Sequence, residues 1–456
     1  MPADKSGENK QLASWKEIAS YLGVDERTCQ RWEKKYGLPV RRMEDTPKSR
    51  VFAHKEDLDR WRDAVTKNNN FVREVQLASP AQKGESRPQN LIKRYIFYGI
   101  PVLIMAALLT IFLPRFFSDR QPVDFRIDHS TLIILNKLGR ELWSYDTQIP
   151  NLWEEKEYRE AFQRKKEISD EQRRLPVLFI KDIDHDGLNE VLFSTQTTDG
   201  LKADVLYCFD SKGTKLWEFK AGREIQLGSK VYSRDFVIIA VDIVDLNNDG
   251  VMEILVISHA RQQIPTQVAV LNLRGSLIRE YWNVGQFNDY AFEDLNGDGR
   301  KDILLAGQSN AYDRPCLVVL DFDSMKGISP TKPEMECPGL EKGSEKYYLL
   351  FALTELDKLF MPRIALGKID ILSNRRIQVR TTSSDVIYEL NFLLNPEDVT
   401  LSDDFARRYR DAYREGKLRA PLDDKNKELI QIKLRNEIDY YDGINWTRGG
   451  AMSNKW

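Results

Sequence analysis

The sequence predicts a multidomain chain: a small α-helical unit with a strand hairpin, one transmembrane helix, and an all-β domain built from repeats. Three observations carry that prediction. Two short, capped helical segments open the chain, an uncharged apolar run occupies 95–114, and one acidic loop pattern recurs three times ahead of strand-like segments.

At 456 residues there is room for two or three domains with sizeable cores. The net charge of −2 is unevenly spread. Residues 1–94 hold 20 Lys and Arg against 14 Asp and Glu, a balance of +6; since 95–114 are uncharged, residues 115–456 carry −8. A basic front and an acidic back suit different partners, nucleic acid for the first and cations for the second. The four cysteines, Cys29, Cys208, Cys316 and Cys337, include no CxxC and match neither a disulfide framework nor a zinc site. Cys29 reads as a small core residue, while Cys316 and Cys337 could bridge if their region is oxidised.

The front unit, residues 11–68, starts with Ser14 and Glu17 at capping-box spacing ahead of an apolar face of Ile18, Ala19 and Leu22. Asp25 caps a second helix, ERTCQRWEKKYG, which Gly37 and Pro39 end. On it Cys29, Trp32 and Tyr36 face the first helix, so Arg27, Gln30, Arg31 and Lys34 point outward. An Arg fork matches guanine edges and a Lys neutralises phosphate, which suits the major groove of double-stranded DNA. VRRMEDTPKSRVFAH follows as two strand-like runs about a Pro-containing turn, with Arg41, Arg42, Lys48 and Arg50 placed for backbone phosphates. KEDLDRWRDAV closes the unit with a helix burying Leu58, Trp61 and Val65.

Across residues 13–66 the pattern W-K-E-I-A-x-Y-L-G, R-T-x-Q-R-W-E, G-L-P-V-R-R and V-F-A-H-x-x-D-L-D-R-W resembles the winged helix-turn-helix of the MerR and excisionase group. The resemblance implies that Arg27, Gln30, Arg31 and Lys34 lie on a recognition helix, and Arg41, Arg42 and Arg50 on or beside the wing. No long coiled-coil helix follows, which departs from the MerR pattern; residues 69–94 read as a flexible linker. A homodimer reaching two half-sites would have to form through later parts of the chain.

Residues 95–114, YIFYGIPVLIMAALLTIFLP, are long enough at a ~1.5 Å rise to span a hydrocarbon core of ~30 Å. Arg87, Lys93 and Arg94 precede the run, which favours a cytoplasmic N-terminus. The expected placement is thus a single-pass protein of the cytoplasmic membrane with an extracytoplasmic C-terminal domain.

That domain, residues 124–456, carries the three loops DIDHDGLNEVLF, DLNNDGVMEILV and DLNGDGRKDILL. Their oxygens come from Asp182, Asp184, Asp186 and Glu190, from Asp245, Asn247, Asp249 and Glu253, and from Asp294, Asn296, Asp298 and Asp302. A chain curling round a hard cation presents alternate side chains inward, and Ca²⁺ takes about six to eight oxygens, so up to three Ca²⁺ sites are expected. Gly187, Gly250 and Gly299 permit the sharp turn, and the carbonyl of position 7 adds a further ligand. An EF-hand is excluded, because the last acid stands at position 9 instead of 12 and strands follow it. With four carboxylates, the first loop should bind tightest.

Between the loops runs a second repeat, LIILNKLGRELWSYD, VLYCFDSKGTKLWEFK and VAVLNLRGSLIREYW, each a strand, a polar turn with Gly, and a strand with an aromatic. LVVLDFDSMKG looks like a truncated copy and VRTTSSDVIYELNF like a worn one. Gly139, Gly213 and Gly275 are 74 and 62 residues apart, a period that signifies a propeller or related β array. Trp143, Trp217 and Tyr281 are expected to pack between its blades. Loop and hairpin together resemble the FG-GAP or VCBS repeats of integrin-type propellers, which implies an all-β propeller-like domain with calcium held in the acidic loops. Charged helical insertions are expected at 151–174 and 403–417, and closing strands near 428–440.

Joined together, these parts predict a membrane-anchored one-component transcriptional regulator, with double-stranded DNA at one end and a protein or glycan ligand at the other. The competing class is an adhesion or interaction protein whose helical unit is only a tether. Catalysis is not expected, and no catalytic residue is assigned: no Ser/His/Asp set or phosphate loop is present, and the back region holds only His129, His185 and His259.

Overall fold

A computed structural model describes residues 11–42, 51–65, 120–164, 175–200, 203–359 and 364–449. The chain divides into two compact units, Met1–Met105 and Ala106–Trp456.

In the first unit, β1 (Gln11–Leu12) leads into α1 (Trp15–Leu22) and α2 (Glu26–Tyr36). Strands β2 (Arg41–Arg42) and β3 (Val51–His54) and helix α3 (Lys55–Val65) follow. The helix starts are built from side chains. Ser14 accepts from Glu17 N at 3.2 Å, and Glu17 reaches back to Ala13 N at 2.8 Å. Asp25 accepts from Thr28 N at 2.9 Å and from its hydroxyl at 2.8 Å. Each such cap is worth ~1 kcal/mol. Ile18, Cys29, Trp32, Leu58 and Trp61 form the core, and Trp61 Nε1 donates to Tyr36 O at 2.8 Å, tying α3 to the end of α2. The short β1 was not expected; it flanks β3 in a sheet of order β1-β3-β2.

The second unit is predominantly β-sheet. Its first sheet is β4 (Asp124–Asp128), β5 (Thr131–Leu135) and β6 (Glu141–Asp146), followed by helix α4 (Glu155–Arg164). The second sheet is β7 (Leu178–Lys181), β8 (Glu190–Ser194), β9 (Val205–Phe209) and β10 (Lys215–Lys220). A small hairpin, β11 (Ile225–Leu227) and β12 (Lys230–Tyr232), precedes the third sheet. That sheet is β13 (Phe236–Val244), β14 (Glu253–Ala260), β15 (Thr266–Leu271) and β16 (Leu277–Asn283). The fourth begins with β17 (Gly285–Glu293), β18 (Asp302–Ser309), β19 (Arg314–Leu320) and β20 (Tyr347–Leu350). The fifth is β21 (Leu366–Leu372), β22 (Arg376–Thr381), β23 (Val386–Asn391) and β24 (Pro396–Leu401). Helices α5 (Asp403–Arg414) and α6 (Asp424–Asn436) then lead to β25 (Asp439–Tyr441) and β26 (Trp446–Arg448).

Sequential strands pair antiparallel within each sheet. Inner strands such as β14 and β15 are apolar runs buried on both faces, whereas β6 and β10 alternate between exposed and half-buried residues. One hairpin recurs four times. Asn136, Asp210, Asn272 and Asn391 each accept from the amides two and four residues on, at 2.7–3.1 Å. The next turn residue with positive φ is Gly139, Gly213, Gly275 and, in the fourth copy, Leu394. The returning strand then bulges at Leu142, Leu216, Ile278 and Glu397.

Tryptophans link successive sheets. Trp143 of β6 lies on the turn of the second sheet, where a Cβ on Gly213 would come within 2.7 Å of its ring, and its Nε1 donates to Ser211 O at 3.2 Å. Trp217 of β10 repeats this on the third sheet, with Gly275 at 2.5 Å and a bond to Leu273 O at 2.8 Å. Tyr281 is fully buried instead, donating to Glu345 at 2.6 Å.

The closing strands expected near 428–440 are mostly helix: Asp423 caps α6 by accepting from Asn426 N at 2.8 Å. Only β25 and β26 follow, and they join β20 in the fourth sheet, not the first. The expected span 95–114 and linker 69–94 lie outside the described residues. Among those described, no helix is long and apolar enough to cross a membrane. The longest, α6, has 13 residues, about 20 Å at a ~1.5 Å rise against the ~30 Å required. The single-pass placement, with its cytoplasmic and extracytoplasmic ends, is corrected accordingly.

Candidate metal centre and nucleic-acid face

The three acidic loops join β7 to β8, β13 to β14 and β17 to β18, and in each the ninth-position acid is the first residue of the second strand. Position 4 (His185, Asn248, Gly297) and position 6 (Gly187, Gly250, Gly299) both have positive φ in all three. Position 2 is a buried apolar plug, Ile183, Leu246 or Leu295. The ninth-position acids are buried beneath it: Glu190 accepts from Ile183 N at 3.1 Å and Glu253 from Leu246 N at 2.9 Å. The second and third loops abut, Lys301 N donating to Leu246 O at 2.8 Å.

The first loop gathers Asp182, Asp184 and Glu190 with oxygens within 4.8 Å of one another, and among the described residues no other loop brings three carboxylates so close. Asp182 Oδ2 accepts from Gly187 N at 3.0 Å, but its buried Oδ1 has no hydrogen-bond partner. Asp186 is turned to accept from Leu188 N at 2.7 Å and stands outside the cluster, and His185 is exposed. Burial, reinforced by repulsion from Asp184, Asp186 and Asp182, pushes the Glu190 acid up to about 7. None of these four carboxylates has an ion-pair partner among the described residues. A hard cation with oxygen ligands fits this donor set.

In the second loop both oxygens of Asp245 are engaged, by Asp249 N at 3.2 Å and Gly250 N at 3.0 Å, and the Asn247 amide donates to Asp249. Burial raises the Glu253 acid. The third loop repeats these bonds on Asp294, with Gly297 N at 2.6 Å, Asp298 N at 3.1 Å and Gly299 N at 2.8 Å, and Asn296 donates to Asp298. It differs in one respect that the sequence did not signal. Lys346 Nζ lies 2.5 Å from Oδ1 of Asp302 and 3.8 Å from Asp321. Burial raises the Asp302 acid and the ammonium opposes that rise.

On the first unit, Arg27, Gln30, Arg31 and Lys34 are all exposed, at i, i+3, i+4 and i+7 along one face of α2. A shallow groove beside that face is lined by Trp15, Gln30, Arg31, Glu33, Lys34, Lys35 and Arg42. Arg42, on β2, is held by Glu33 at 2.9 and 3.1 Å. Arg41 is exposed on the same strand, whereas Lys48 and Arg50 lie outside the described residues. Cys29 lies in the core, its thiol pushed up to about 11 by burial. Cys316 and Cys337 are free thiols, and burial pushes Cys316 up to about 12.

No family model matches the chain, and no curated protein matches it. Assignment to the MerR and excisionase group or to FG-GAP and VCBS repeats is corrected on that ground. Among solved structures the chain is similar to BamB from Moraxella catarrhalis, with 11% sequence identity and a TM-score of 0.22, over 61% of this chain and 69% of that one. So low a TM-score carries no argument about function.

Proposed function

We propose that the protein is a DNA-binding regulator: the first unit docks the exposed face of α2 into the major groove, and the second receives the signal. The observation that supports this best is the single stripe of Arg27, Gln30, Arg31 and Lys34, with Arg42 bordering the same groove. In this reading Arg31 and Gln30 reach base edges, while Arg27, Lys34, Arg41 and Arg42 take phosphates. The second unit is a propeller-like array, a reading supported by the four-fold hairpin and by the tryptophans that bind the first sheet to the second and the second to the third.

The first loop holds calcium in this proposal, through Asp182, Asp184 and Glu190, with Asp186 close by in sequence. The ion would neutralise an acidic cluster whose innermost member, Glu190, is buried, and clamp β7 to β8, a structural role and not a signalling one.

The DNA reading is tested by selecting from a random duplex library with the full chain. The wild type enriches a shared motif, and Arg31→Glu lowers affinity for it at least 100-fold with an unchanged circular dichroism spectrum. Affinity for the motif falls with salt by about 0.9 log units per log unit for each phosphate contact. Unaltered affinity in Arg31→Glu, or binding indifferent to salt, overturns it.

A further inference from the structure

We infer that the third acidic loop is not a metal site: Lys346 supplies its positive charge, and divalent-cation binding is confined to loops whose ninth-position acid lacks an ammonium partner. The inference deepens the calcium reading of the first loop, on which it rests.

The geometry is specific. Asp302 is 2% exposed and shares its Oδ1 with Lys346 at 2.5 Å. Lys346 is delivered by the backbone of its own sheet, since its N–H donates to Val319 O at 2.9 Å immediately ahead of β20. Asp321 lies 3.8 Å from the same ammonium, so one cation serves two carboxylates. A divalent ion entering this loop would have to share Asp302 with a fixed positive charge, and like charges that close repel strongly in a partly dry site. Asp302 Oδ2 is buried without a hydrogen-bond partner, but the other side-chain donors of the loop are occupied. Both oxygens of Asp294 accept from backbone amides, whereas the equivalent Asp182 keeps one buried oxygen open. Position 3 is Asn296, whose Oδ1 accepts from Asp298 N at 3.3 Å while its amide nitrogen donates to Asp298 at 2.9 Å. The loop therefore keeps its shape with a covalently tethered cation in place of a diffusible one.

The experiment counts bound ions on the full chain by Tb³⁺ luminescence and calcium calorimetry. Asp294→Asn is expected to leave the wild-type stoichiometry unchanged. Lys346→Met is expected to gain one ion, which Lys346→Met combined with Asp294→Asn loses again. A wild type that drops by one ion on Asp294→Asn overturns the inference, as does a Lys346→Met protein that gains none. Should Lys346→Met fail to fold, Lys346→Gln, one atom shorter than lysine but with an uncharged donor for Asp302, serves the same arm. Asp184→Asn reports separately on the first loop: if it removes no ion, the calcium reading of that loop fails, while gain or no gain in the Lys346 variants still decides the third.

Discussion

The first and third acidic loops share a pattern of spacing, the same left-handed positions and the same buried ninth-position acid, yet they meet their charge differently. In the first, three carboxylates converge and no cation stands within ion-pair distance among the described residues. In the third, an ammonium from 44 residues further along the chain rests on the acid. A repeated motif thus specifies a backbone shape, and the surrounding sheet decides whether that shape needs an ion.

Removing the ninth-position acid without metal should separate the two loops most. Asp302→Asn removes the closer of the two carboxylates from the mostly buried Lys346 ammonium, leaving Asp321 at 3.8 Å, and should cost about 3 kcal/mol in chelator. Glu190→Gln, which relieves an uncompensated buried acid, should be neutral or stabilising under the same conditions; equal losses in urea titrations would erase the contrast. Next in size is the response to calcium itself. Saturating metal at 100-fold over its dissociation constant stabilises by about 2.7 kcal/mol, so Asp184→Ala should abolish the calcium-induced rise in melting temperature. A rise that survives Asp184→Ala would place the ion elsewhere. The smallest effect should be shared. Gly187→Ala and Gly299→Ala both force an L residue to φ near +85 to +89, at about 1–2 kcal/mol each. Thermal denaturation in chelator should show matching losses; a loss confined to one loop would mean that their backbones differ.

Much of this arrangement could be read locally. The caps at Ser14 and Asp25, the exposed stripe on α2 and the strands starting at Glu190, Glu253 and Asp302 all follow from near-neighbour spacing. The convergence of Asp182, Asp184 and Glu190 does too, because a tight loop brings alternate residues to one side. The hairpin repeat was visible where Gly fills the left-handed position and faded at the fifth sheet, where the buried Leu394 occupies it. What escaped was long-range. Nothing near Lys346 announces its partner, and β1, two residues of which only Leu12 is apolar, is too brief to register. The closing strands at 428–440 were misplaced because Leu429, Ile430 and Ile432 suggest a strand, whereas Asp423 and the surrounding Lys, Glu and Gln make a capped helix. Family resemblance misled in a different way, since short motifs can coincide without any family model matching the chain.

The return of β25 to the fourth sheet sets a schedule for biosynthesis. Arg314 binds the Asp439 carboxylate and the Leu350, Phe351 and Glu437 carbonyls, and its carboxylate partner lies 125 residues downstream. A ribosome adding roughly 5–20 residues each second leaves that guanidinium waiting for several seconds or longer. Chains cut short before Asp439 would leave the edge of β20 bare, an open template for a neighbouring strand, so premature termination should yield aggregates more readily than a smaller folded product.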